Sequence, residues 1–195
     1  MCSVRKYLES NGQKLQILSI LIFFVMVIGI VTGSIFYMKT GDGREIINGH
    51  LSDIFRAAAE TSDKLGAAKN YLFEAAVSCF VIFISAYFKL GALTSLGVVL
   101  RKGFITGFTA AAAAGTYGVK GIALVAATSV DLVISVIILV IFSAVSVTYS
   151  IEKEKNSKKF LIFFAIFSIS IFCVISFARG FLSTTFMNLI YPKFN

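Results

Sequence analysis

Five apolar runs dominate this chain, over residues 17–38, 71–88, 90–115, 121–149 and 160–190. Crossing ~30 Å of hydrocarbon takes ~20 helical residues, and each run supplies roughly that length. Hydrocarbon offers no water to backbone N–H and C=O groups, so an isolated apolar span closes its hydrogen bonds as a helix. The chain is 57% hydrophobic with one proline in 195 residues, more apolar surface than a soluble domain of this size can bury. The expectation is an all-α, polytopic integral membrane helix bundle with about five transmembrane helices, forming one membrane domain over residues 1–195. The first run exceeds a signal-peptide core and lacks a small-residue cleavage site, so it reads as an uncleaved signal anchor.

Tyrosine must supply the interfacial belt, because there is no tryptophan. Tyr37, Tyr71, Tyr87, Tyr117, Tyr149 and Tyr191 fall at span ends, where amphipathic rings prefer to sit. The formal net charge of +8 comes from basic residues scattered between apolar runs, which fits the positive-inside rule rather than nucleic-acid binding. Arg5, Lys6, Lys14 and Lys89, with the lysines of the 152–159 link, mark one side as cytoplasmic. Residues 39–70 hold five basic and five acidic residues and fall outside. There, Ile46, Ile47, Leu51, Ile54, Phe55 and Ala58 recur at helical spacing among charges, giving an outer amphipathic helical segment. Its cations Arg44, Arg56 and Lys64 are the candidate partner surface. His50 stands alone there as a surface histidine.

Residues 96–121 are the most informative stretch. Arg101 and Lys102 interrupt an apolar run, and charges in hydrocarbon are costly and usually functional. Depth counted at ~1.5 Å per residue puts them level with Asp131, predicting a buried polar clasp of Arg101 or Lys102 with Asp131. The same count puts Glu74 and Arg179 near the outer interface as a second pair. Such charges serve either a solute or proton path, or helix packing; a single central carboxylate favours packing. Gly29 and Gly33, and Gly103 and Gly107, form two GxxxG faces suited to close helix crossing, with Gly115, Gly118 and Gly121 continuing the small-residue ladder. Packing within the chain is the expected use of these faces, with a homo-oligomer as the alternative.

Nothing in the sequence resembles a phosphate-binding loop, an HExxH site, a serine-nucleophile elbow or a paired Cys/His set. Cys2, Cys79 and Cys173 lack metal or disulfide spacing. No enzymatic activity, cofactor or metal is expected.

The run Lys102-Gly103-Phe104, then Gly107-Phe108 and Gly118-Val119-Lys120-Gly121, resembles the stage II sporulation protein M family, as do the VIGIVTGS end of the first span and the chain length. The family's prolines near span three and within span four are missing; only Pro192 is present. The resemblance implies a non-enzymatic membrane scaffold for forespore engulfment. It would be enriched at the septum of the cell membrane and partnered with membrane-anchored peptidoglycan hydrolases like stage II sporulation proteins D and P. The rival expectation is a small permease, or the membrane subunit of a multicomponent transporter.

Overall fold

The computed structural model describes residues 2–60, 64–88, 90–128, 130–152 and 155–190. These form seven α-helices: α1 (Cys2–Lys39), α2 (Arg44–Glu60), α3 (Lys64–Ser85), α4 (Gly91–Tyr117), α5 (Val119–Thr128), α6 (Val130–Glu152) and α7 (Lys155–Ile190). A single 3₁₀ turn, Gly41–Gly43, joins α1 to α2. Five stretches are long and apolar enough to cross a membrane: Asn11–Lys39, Ala68–Ser85, Gly91–Tyr117, Val133–Ile151 and Lys158–Ala178. The protein is an all-α membrane helix bundle. Its outer surface carries large apolar side chains such as Phe80 and Val174, 63% and 70% exposed, as a surface bathed in acyl chains requires.

Backbone contact between α1 and α4 organises the bundle. The buried edge of α4 is Gly91, Ser95, Val99, Gly103 and Gly107, one residue per helical turn. Its lower half meets the Gly29–Gly33 edge of α1. A methyl group added at Gly29 would lie 2.6 Å from the Leu100 carbonyl oxygen, and one at Gly103, Gly33 or Gly107 would overlap the carbonyls of Met26, Phe104 or Ile30. The two GxxxG motifs thus pack against each other within one chain, in parallel. Ser34 Oγ adds a bond across the seam to the Gly107 carbonyl at 3.1 Å, and Phe36, Phe104 and Phe108 flank it with ring centroids 5.7–6.3 Å apart. Further along, Gly115 makes room for the Tyr37 phenol.

Turns are set by glycine where the backbone demands it. Gly118 closes α4 at φ +60°, ψ −138°, a region closed to other residues, and Gly121 then brings α5 back against the Ala113 carbonyl. At the opposite end, Gly91 lets α4 start against the Ser85 carbonyl of α3. A hydroxyl cluster fastens that end. Ser85 and Ser95 oxygens are 2.9 Å apart, Ser95 and Ser146 are 3.4 Å apart, Ser146 donates to the Ile82 carbonyl at 2.9 Å, and Ser150 donates to the Phe88 carbonyl at 2.9 Å. Other hydroxyls in the spans, including Thr32, Thr106 and Thr148, bond to carbonyls one turn back, while the buried Ser143 and Ser168 hydroxyls have no partner among the described residues.

Over the expected fourth span the described residues form α5, to Thr128, and α6, from Val130, and the apolar crossing stretch within them is Val133–Ile151. The second crossing stretch is Ala68–Ser85, close to the run that opens near Tyr71, with α3 extending back to Lys64.

Substituting Gly107 by valine should destabilise the bundle by about 3 kcal/mol or more, since the added carbons meet backbone that cannot retreat. Gly49→Ala in α2, where a methyl group meets nothing within 4 Å, should instead be neutral or stabilising by up to about 1 kcal/mol. Unfolding of the purified protein in detergent would read both; equal effects would contradict the glycine seam.

Candidate functional site

Consecutive helical residues point ~100° apart, so Arg101 and Lys102 cannot share a face of α4. Lys102 turns inward, half-buried, and its Nζ lies 2.5 Å from Glu74 Oε1 of α3. Arg101 is exposed and forms no ion pair with any described residue. The register explains the pairing. Glu74 is the eleventh residue before Ser85, and Lys102 the eleventh after Gly91, in two helices joined by a short turn. Antiparallel arms of equal length bring them level, about 16 Å from the turn. In an α4 of about 40 Å, that is near the middle of the membrane.

Lys102 thus pairs with Glu74 rather than with Asp131, whereas the expected Glu74–Arg179 pair involves a side chain outside the described residues. Asp131 is the second residue of α6, and the contact between Ser95 and Ser146 sets α4 and α6 in register. Counting from that contact, the Asp131 backbone stands about 12 Å beyond Lys102 toward the α2 end. The Asp131 and Arg179 side chains lie outside the described residues.

Around the ion pair the bundle encloses a cavity of about 50 Å³, between α3, α4, α6 and α7. Tyr71, Glu74 and Ser78 line it from one face of α3, Lys102 from α4, Ser135 from α6 and Ser176 from α7. Val136, Leu139, Phe172 and Ile175 make the apolar part of the wall. A few waters fit such a volume, and the ion pair and hydroxyls supply the two to four polar partners each one needs. Water there lowers the cost of holding a carboxylate and an ammonium in hydrocarbon. The site therefore both locks α3 to α4 and provides a polar spot with room for water at mid-membrane. Sequence reasoning overlooked Ser78, Ser135 and Ser176; only their placement on helix faces bearing charge could have flagged them.

Outside the spans, α2 is tied to the end of α1. Tyr37 Oη donates to Asn48 Oδ1 at 2.9 Å, and Arg44 folds back so that its guanidinium bonds the Met38 carbonyl and lies 5.7 Å from the Tyr37 ring centroid. Of the three partner-surface cations, Arg44 is thus partly engaged within the chain, and the side chains of Arg56 and Lys64 lie outside the described residues. His50 is exposed. Among the described residues, no group of three His, Cys, Asp or Glu side chains is placed to hold a metal ion.

Replacing Lys102 with methionine should remove the ammonium partner of the Glu74 carboxylate and cost about 2–4 kcal/mol of bundle stability. Adding Glu74→Gln should recover much of that loss, whereas adding Asp131→Asn should not. A double-mutant cycle by unfolding in detergent measures both couplings, and a stronger coupling to Asp131 would reverse the assignment.

No family model, no curated protein and no solved structure matches this chain.

Proposed function

We propose that the protein is a non-enzymatic membrane scaffold that anchors peptidoglycan-remodelling proteins during engulfment in sporulation, as its resemblance to the stage II sporulation protein M family implies. The observation that carries this reading is α2, an amphipathic helix outside the spans that is held fast to the bundle by Tyr37–Asn48 and by Arg44. A docking surface gains affinity when it is preorganised, since little entropy is left to lose on binding. The bundle beneath it is fastened backbone to backbone at its glycines, which suits a platform better than a machine that must rock open.

In this reading the amino terminus and the 152–159 link are cytoplasmic, and α2 faces the compartment where the wall is remodelled. The partners are membrane-anchored hydrolases resembling stage II sporulation proteins D and P, and the protein concentrates at the septal membrane. A small permease is the second reading, and the polar cavity at Glu74 and Lys102 is what favours it. A permease needs that cavity to open alternately to both sides; a scaffold needs it only to stay closed.

Single cysteines at residues 50 and 156 should react oppositely with a membrane-impermeant thiol reagent in intact cells, with residue 50 labelled. The protein should co-purify with a wall hydrolase from sporulating cells and show no hydrolysis alone. Reversing Arg56 and Lys64 together should weaken that association while insertion is unchanged; Arg44→Glu is tested separately because it also loosens α2. Completed engulfment in a deletion strain would sink the scaffold assignment. Solute uptake lost on Glu74→Gln, with the fold intact, would move the permease ahead.

A further inference from the structure

Arg101 is a guanidinium on an apolar outer face. Leu93 and Ile105, 67% and 42% exposed, lie on the same side of α4, and no described residue pairs with it. Its depth follows from the turn that precedes α4. Lys89, between Phe88 and Leu90 in the sequence, marks the membrane boundary, and those two neighbours are 61% and 70% exposed. Arg101 is ten residues further on, about 15 Å deeper. That is half the thickness of a ~30 Å hydrocarbon layer. Helical side chains lean toward the amino-terminal end of their helix, which shortens the path to the lipid phosphates but does not span it.

Among the described residues none offers a counter-ion for this position. Glu74 faces the opposite side of the α3–α4 pair with Lys102, and the Asp131 backbone stands more than a helical turn away along the bundle axis. One turn below Arg101, in the direction its side chain leans, is Gly97. It is exposed, and a methyl group there would meet nothing within 4 Å. The other glycines of the α4 edge are filled by α1 or α3, so Gly97 is a notch that this chain leaves open.

We propose that the Gly97–Arg101 face of α4 docks a transmembrane helix of a partner protein carrying an aspartate or glutamate near its midpoint. The notch lets the two backbones approach, and the carboxylate satisfies the guanidinium, so each buried charge is stable only in the complex. The occupant is set by complementarity: an unpaired cation at mid-depth on a lipid-facing helix requires an anion at the same depth, where lipid phosphates are absent. This inference rests on the scaffold reading only in needing a membrane-anchored partner.

The test uses the full-length protein in phosphatidylcholine vesicles, with a fluorescent poly-leucine transmembrane peptide bearing one central aspartate and a matched all-leucine peptide. Energy transfer should show the aspartate peptide binding at least about tenfold more tightly than its match. Arg101→Leu should abolish that preference, Arg101→Lys should retain part of it, and Gly97→Leu should weaken it with Arg101 in place. Thermal unfolding of the three variants without peptide should match the parent, since neither position supports another described residue. Equal binding of the two peptides overturns the proposal, as does a preference that survives Arg101→Leu. Arg101-dependent self-association in place of peptide binding also overturns it, by making a second copy the occupant. So does an Arg101-dependent enrichment of phosphatidylglycerol with no peptide preference. Failure of the hydrolase to co-purify, with peptide binding intact, would remove the wall assignment and leave this docking face standing.

Discussion

Everything in the bundle is arranged around the contact of α1 with α4. In water, helices are driven together by the apolar surface they hide. In a bilayer that drive is absent, because acyl chains solvate leucine as well as leucine does. What remains is dispersion between closely approached backbones and a few polar bonds, both steep in distance. Gly29, Gly33, Gly103 and Gly107 bring the two backbones together, and Ser34 to the Gly107 carbonyl adds the polar bond. The fit leaves no slack for a methyl group on either side, so the register of α4 against α1 is fixed, and with it the depth of Lys102 and the outward aim of Arg101.

The second constraint is the α3–α4 hairpin. Gly91 against the Ser85 carbonyl and the Ser85–Ser95–Ser146 hydroxyls hold its closed end, and equal arm lengths then oblige Glu74 to meet Lys102. The ion pair is the product of this register rather than its cause. A mid-membrane charge pair contributes specificity more than stability, since the desolvation cost offsets most of the attraction. A slip of one turn would separate the two charges.

Much of this was legible in the residues alone, and the limits are physical. Runs of some twenty apolar residues in a chain with one proline allow little besides crossing helices, and paired GxxxG spacing announces close packing. Charge partners were harder. They depend on depth, depth was counted from hydropathy boundaries, and those boundaries err where polar residues continue a helix past the apolar run. Lys64–Asn70 continues α3 in this way, and the level of Glu74 follows instead from its pairing with Lys102. The turning of Arg101 away from Lys102 follows from helix geometry, but which of the two faces inward depends on a neighbour that only the assembled bundle supplies.

The parallel seam also bears on the order in which the protein is made. Ser34 and Gly107 are 73 residues apart, and one membrane segment of opposite direction, α3, must be synthesised before α4 can return alongside α1. Until then the nascent α1 stands in the bilayer with its glycine edge uncovered. That edge is self-complementary, so during synthesis it is open to the equivalent edge of a neighbouring chain. Completion of α4 converts an intermolecular hazard into an intramolecular lock, and the contact that fastens the finished bundle is the one through which unfinished chains would find each other.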